Sequence, residues 1–342
     1  MSSASSLNSC TVLEVDVVLA IETRALTRHY GPLVAVDRLD LAVERGELYA
    51  FLGPNGAGKT TTIRLLTGLI RPTAGTALID GLEVTRNPLM TKAKVGVVPQ
   101  RSNLYGELSA RDNLVFAAQL YGLPRRRWRP RADELLAQFG LAERADSPFA
   151  SLSGGLKRRL TIAAALVHEP PILFLDEPTT GLDVQSARQV RALIADLHRR
   201  GVTIFLTTHF IPEAEQLADR VGILVEGRLI AVDTPAGLRA RVQGESILEV
   251  VLSELSEGLL AALRSSPAVD HLAREGDTLH LAVPSVDAAL HDLTTISRRS
   301  GAQIVALRTV TPSLEDAFVQ LTHLDVEALQ GSAGRRRGGG HR

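Results

Sequence analysis

Nine residues constrain this chain more than any others: Gly53-Pro54-Asn55-Gly56-Ala57-Gly58-Lys59-Thr60-Thr61. They follow a short apolar run, Glu47–Gly53 (ELYAFLG), and open the helical pattern Thr60–Gly68. G-x-x-x-x-G-K-[ST] between a strand and a helix predicts a phosphate-cradling loop. Gly53, Gly56 and Gly58 let backbone N–H groups turn inward around phosphate oxygens, and the helix N-terminus adds the positive end of its dipole. Lys59 reaches the β- and γ-phosphates as a point charge, a task for which the planar fork of arginine is a poor substitute. Composition sharpens the point. Of 38 basic residues 34 are Arg, and only Lys59, Lys92, Lys94 and Lys157 are Lys. Thr60 offers its hydroxyl to Mg²⁺ and Thr61 can contact phosphate; Pro54, Asn55 and Ala57 complete the loop.

Two further apolar runs carry chemistry at their ends. Pro170–Asp176 (PPILFLD) reads as a buried parallel strand, and carboxylates at the C-terminal end of such a strand stand where α/β sheets bind ligands. In that setting Asp176 holds Mg²⁺, and Glu177 orients or deprotonates an attacking water. The plainer reading of Asp176 is a helix-capping carboxylate. Gly201–Pro212 (GVTIFLTTHFIP) is another buried strand, ending in Thr207-Thr208-His209. His209 is either structural or a hydrogen-bond donor to the γ-phosphate. Ser151–Leu160 (SLSGGLKRRL) is a Ser-Gly-Gly turn opening a helix that Ser153 can cap, and its N-terminus is a second anion site. By local physics alone it is only a capped helix.

The 342 residues suggest two or three domains. From Ile21 to about Val242, short apolar runs alternate with helical patterns, the signature of strands interleaved with helices. The pattern restarts near Gly244–Ser246. Ile247–Leu252, Thr278–Val283 and Ala302–Arg308 read as strands, and Ser256–Arg264, Val286–Arg298 and Ser313–Leu321 as helices. The expected domains are a loose leader (1–20), an α/β domain (21–243), a small α+β domain (244–325) and a disordered Gly/Arg-rich tail (326–342). Lys+Arg and Asp+Glu balance at 38 each, which speaks against nucleic acid as a partner. The basic run Arg125–Arg131 reads as a solvated face before a helix at Ala132–Phe139. One cysteine, Cys10, excludes an internal disulfide. No uncharged window reaches the length of a membrane-spanning helix.

Taken together, these motifs resemble those of the nucleotide-binding subunit of ABC transporters, over about Ile21–Val232. The resemblance implies an α/β P-loop NTPase fold with a helical signature subdomain, and ATP with Mg²⁺ as ligands. It places an adenine-stacking aromatic at Tyr30 and the Q-loop glutamine at Gln100, a further Mg²⁺ ligand. The signature motif is Leu152–Leu156, with Ser153, Gly154 and Gly155 contacting ATP; the D-loop is Gly181-Leu182-Asp183. The acidic pair is Asp176-Glu177, with Glu177, His209 and Lys59 as the catalytic set. One departure is Leu156, where the family usually has Gln. A non-polar residue followed by Lys157-Arg158-Arg159 is similar to the drug-export branch of the daunorubicin-resistance type, as is the stretch from Thr207 to Val221.

That branch implies ATPase activity that drives export through a separate integral-membrane ABC-2 permease. It also implies a second copy of the ATPase subunit, with ATP between one P-loop and the other copy's Ser153–Gly155. The expected location is peripheral, on the cytoplasmic face of the cell membrane. Polysaccharide or lipid export is a close alternative. A soluble ABC ATPase acting on DNA fits less well, since Leu152 follows Lys59 by only 93 positions, without heptads between. A GTPase would need Asn-Lys-x-Asp, which is absent from the sequence.

Overall fold

The computed structural model describes residues 18–241, 246–276, 278–310 and 313–322. Most of the expected leader, the expected boundary near 244 and the expected tail lie outside these residues. The described chain forms two contact units.

The first unit comprises the described residues up to 51, then Gly56–Thr208 and Glu226–Leu229. Its elements are strands β1 (Leu19–Tyr30), β2 (Leu33–Glu44) and β3 (Leu48–Leu52, its last residue grouped with the second unit), helix α1 (Lys59–Leu66), β4 (Ala74–Ile79), β5 (Leu82–Glu83), α2 (Pro88–Ala93), β6 (Val95–Val98), α3 (Ala110–Leu120), α4 (Trp128–Gln138), α5 (Gly154–Ala165), β7 (Ile172–Asp176), α6 (Val184–Arg199) and β8 (Thr203–Thr208). β1, β2, β4 and β5 make an antiparallel sheet in the order β2-β1-β4-β5. The expected alternation of strands with helices does not hold here. Gly31-Pro32, with Gly31 at φ +58°, turns β1 directly back into β2, and a two-residue turn of this kind makes a hairpin.

The second sheet of this unit places β3, β8, β7 and β6 side by side. β6, β7 and β8 run parallel, with Val98 opposite Leu175 and Asp176 opposite Thr207. Every residue of β3, β7 and β8 is buried, as strands covered on both faces must be. Tyr49, Phe51, Phe174 and Phe205 pack ring against ring at the centre, with centroids 5.4–6.5 Å apart. Aligned parallel strands bring Asp176 and Thr207 to one edge. α3 packs on α4 and α5, and α5 also lies against β6 and α6.

The basic run needs correction. The helix expected at Ala132 begins four residues earlier, at Trp128. Arg131 is not solvated: its buried guanidinium donates to the carbonyls of Leu166 and Val167. Arg125, Arg126, Arg127 and Arg129 are exposed as expected.

The second unit comprises Leu52–Asn55, His209–Val225 and the described residues from Ile230 onward. It holds α7 (Ile211–Leu217), β9 (Arg220–Val225), most of β10 (Arg228–Asp233), α8 (Pro235–Ala240), β11 (Ser246–Leu252), α9 (Glu257–Arg264), β12 (His271–Glu275), β13 (Thr278–Val283), α10 (Val286–Arg299), β14 (Ile304–Val310) and α11 (Leu314–Thr322). An antiparallel sheet, β12-β13-β11-β14, presents Leu248, Val250, Leu279 and Leu281 to α9 and α10. Alternate positions on β11 and β13 supply this core, which is why their period-2 pattern was readable. β12 is an addition to the three expected strands. Its sequence HLARE is a charged edge strand with no apolar alternation to announce it. α11 buries Leu314, Ala317 and Phe318 and packs on α7 and α8.

Candidate active site

The loop between β3 and α1 needs glycine for its conformation. Gly56 and Gly58 have φ of +86° and +109°, where an L side chain is strained. Around Gly56 there is open space, so backbone geometry and not crowding makes the demand. Lys59 starts α1 and is 5% exposed, with Nζ 3.3 Å from Glu177 Oε1. Burial pushes its pKa below that of an ordinary lysine, and the charges of Glu177 and Asp176 pull it the other way. A buried ammonium gains most from a dense anion placed beside it.

Asp176 ends β7 and is 4% exposed. Thr60 Oγ1 donates to its Oδ2 at 2.9 Å, and Thr207 Oγ1 donates to its Oδ1 at 2.6 Å. Among the described residues no cluster of three or more His, Cys, Asp or Glu could cage a metal. The Thr60 hydroxyl and Asp176 carboxylate are hard oxygen donors, and Mg²⁺ binds through one or two such groups plus phosphate oxygens. The donor set therefore fits Mg²⁺.

Glu177 has φ +46°, a left-handed conformation that costs a non-glycine residue about 1–2 kcal/mol. Its N–H donates to the carbonyl and hydroxyl oxygens of Thr207, at 3.0 and 3.2 Å. Its carboxylate accepts from Gln100 Nε2 at 2.9 Å and from Thr180 Oγ1 at 3.2 Å. These bonds hold the strained backbone in place, with the Glu177 carboxylate beside Lys59. Gln100 thus stands on Glu177, while Thr60 stands on Asp176.

The structure brings Lys59, Thr60, Gln100, Asp176 and Glu177 into one bonded group. It places the other expected residues elsewhere along the first unit or in the second. Ser153 caps α5 by accepting from Leu156 N–H at 3.4 Å. Ser153 and Gly154 are exposed and Gly155 is buried. Asp183 caps α6, accepting from the Ser186 N–H at 2.8 Å and hydroxyl at 2.7 Å, and these bonds lower its pKa. Tyr30 ends β1 at 40% exposure, with the Arg28 guanidinium 4.6 Å from its ring centroid. Ala57 and Thr61 belong to the first unit. Gly53, Pro54 and Asn55 lie in the β3–α1 loop, and His209 directly follows β8; these four group with the second unit.

Sequence reasoning missed Thr207, Thr180 and Arg158. A threonine inside a fully buried strand must find a partner for its hydroxyl, and that signal marks Thr207. Arg158 is a buried arginine on α5 whose guanidinium donates to the carbonyls of Pro99, Asp176 and Pro178. Its helical spacing from buried Gly155 and Thr161 puts it on the inward face.

A bonded Lys–carboxylate–hydroxyl group at a phosphate cradle can neutralise a triphosphate, hold a divalent ion and position a water. Comparison with known proteins agrees. The ABC transporter family description matches residues 36–180. The chain is 35% identical over 309 residues to the linearmycin resistance ATP-binding protein LnrL of Bacillus subtilis (strain 168), covering 88% of this chain and 98% of the relative. It is 38% identical over 306 residues to the daunorubicin resistance ATP-binding protein DrrA2 of Streptomyces coeruleorubidus, covering 89% and 95%. It is 39% identical over 311 residues to the Nod factor export ATP-binding protein I of Paraburkholderia xenovorans (strain LB400), covering 90% and 98%. Among solved structures, cbiO1 from Clostridium perfringens, part of the ABC transporter complex cbiONQ, superposes with TM-score 0.60 at 30% identity, covering 65% of this chain and 91% of that one. The dimeric post-hydrolysis state of the ATP-binding cassette MJ0796, bound to ADP and phosphate, gives TM-score 0.57 at 27% identity, covering 63% and 98%.

Proposed function

Because the chain belongs to the ABC transporter family as an ATP-binding subunit and is an ATPase, we propose that it powers an exporter of drug-like molecules through a separate ABC-2-type permease. The observation that carries the ATP-driven part of this reading is the bonded group of Lys59, Thr60, Gln100, Asp176 and Glu177 at the cradle. Relatives named for linearmycin resistance, daunorubicin resistance and Nod factor export support export as the direction.

In the proposed cycle Lys59 and the N-terminal turn of α1 neutralise the β- and γ-phosphates. Thr60 and Asp176 would hold Mg²⁺, which when bound would supply charge neutralisation for the phosphates. Glu177 takes or orients the proton of the attacking water, with Gln100 and Thr180 holding its carboxylate. His209 donates to the terminal phosphate, and Tyr30 stacks on adenine. A second copy of the chain supplies Ser153, Gly154 and Gly155 across the nucleotide, and its Asp183 lines the same interface. The exposed Ser153 and Gly154 suit contact with another molecule. Only a state in which both copies touch ATP is favoured by ATP, so binding drives closure and hydrolysis releases it.

We read a cleft of the first unit as the seat for the permease. A cleft of ≈ 280 Å³ beside the Gln100 segment is lined by Val97, Tyr105, Phe116, Leu120 and Tyr121, and three of these are exposed aromatic or aliphatic side chains. Asn103, Asn113 and Thr161 line it too, so a helical segment of a membrane partner with both apolar and polar side chains would suit it, and Val97 and Asn103 flank Gln100 in the chain, which suits transmission of closure. No helix among the described residues is long and apolar enough to cross a membrane, so export in this reading needs that partner. We read 21–243 as the ATPase domain and 244–325 as an accessory domain. The test is drug efflux from cells expressing the chain alone or together with a membrane protein encoded beside it. Efflux is expected only with both, and efflux from the lone chain overturns the reading.

A further inference from the structure

We propose that Arg158 is a positioning residue for hydrolysis: it locks the signature helix α5 to the backbone carrying Gln100 and Glu177, so that the three move as one body. The proposal rests on the closure cycle described above. Arg158 stands five residues after Ser153 and is 7% exposed. Its Nε donates to Pro178 O at 2.7 Å and its two terminal nitrogens to Asp176 O at 2.9 Å and Pro99 O at 2.6 Å, with Gln100 O 3.5 Å away. The bonded carbonyls belong to the residues on either side of Glu177 and to the residue just before Gln100. One guanidinium thus pins the peptides that aim both side chains.

Two features make this more than packing. Glu177 is at φ +46°, a conformation its surroundings must impose, and Arg158 fixes the carbonyl on each side of it. Three positions along the same helix, Thr161 Oγ1 bonds Ser102 Oγ at 2.9 Å, so α5 grips the segment after Gln100 a second time. Arginine suits the task because its five N–H donors form a rigid fork that reaches three carbonyls at once. Lysine has three donors on one atom and cannot span them. A load applied at Ser153–Gly155 by nucleotide and a second copy then reaches Gln100 and Glu177 through Arg158 without involving the phosphate-binding Lys59.

The experiment compares the purified full-length chain with Arg158→Met and Arg158→Lys. It reads thermal unfolding, affinity for a fluorescent ATP analogue, and steady-state kcat and KM with Mg²⁺. Arg158→Met is expected to keep affinity and KM within about threefold of wild type while kcat falls at least about tenfold, the loss falling on the transition state alone. Arg158→Lys is expected to recover part of that loss. Wild-type kcat in Arg158→Met overturns the proposal, as does an equal loss of affinity and kcat at an unchanged melting temperature. If Arg158→Met does not fold, Arg158→Lys decides: a reduced kcat at unchanged affinity supports the role, and a wild-type kcat rejects it. The closure cycle fails separately, if the wild-type chain hydrolyses ATP without ever associating.

Discussion

Lys59 and Glu177 are bonded to each other and both nearly buried, yet their substitutions should act on different steps. Lys59→Ala removes the cation proposed to offset the phosphates and leaves Glu177 with one partner fewer in a buried site. It is expected to abolish ATP binding, read as loss of fluorescent-nucleotide affinity; retained turnover would contradict the assignment. Glu177→Gln keeps the shape and removes the proposed proton acceptor. It is expected to bind ATP and to lower kcat by at least about a hundredfold, the scale of a lost general base. Lys59, Thr60, Asp176 and Glu177 were legible in the sequence because the cradle has fixed spacing and Asp176-Glu177 closes an apolar run, whereas Gln100 was placed only by the family resemblance. Thr180 and Arg158 were not legible: Thr180 reaches Glu177 only through the local turn after β7, and the carbonyls that Arg158 binds are gathered only when α5 packs beside the ends of β6 and β7.

At the scale of elements, α5 and α6 meet through a glycine. A Cβ on Gly155 would stand 2.5 Å from Ser186 Oγ and 2.8 Å from its Cβ. Ser186 is also the residue that Asp183 caps, so Gly155→Ala should push the signature turn away from the α6 N-terminus. ATPase activity is expected to fall about tenfold, equivalent to about 1.4 kcal/mol, and Ser186→Gly in the same chain is expected to restore it. A lasting defect in the double variant would rule out steric contact as the cause. Near the other sheet, Asp80 directly follows β4, with Lys94 and Arg45 as ion partners that hold its carboxyl below the usual carboxylate range. A depressed pKa stabilises the folded state fully above the ordinary carboxylate value, and that gain is lost as pH falls through the native value. Asp80→Asn should therefore lower the melting temperature at pH 7 and match wild type at strongly acidic pH. An unchanged gap in acid would contradict this. Elements with strong periodicity were readable, β11, β13 and α10 among them. The β1–β2 hairpin and β12 were not: long bulged strands and a charged edge lack a clean alternation.

At the scale of the whole molecule, ATP is proposed to bridge two copies, each completing the other's site. Nothing in one chain's composition states this; it is carried over from the family resemblance, and the exposure of Ser153 and Gly154 at the N-terminus of α5 is what such a contact needs. The most direct measurement is the mass of the Glu177→Gln chain in solution by light scattering, with Mg²⁺ and ATP, with and without Ser153→Arg. The account predicts twice the monomer mass with ATP, and a return to monomer mass when Ser153→Arg is added. A chain that stays monomeric with ATP, or a dimer indifferent to Ser153→Arg, would contradict it.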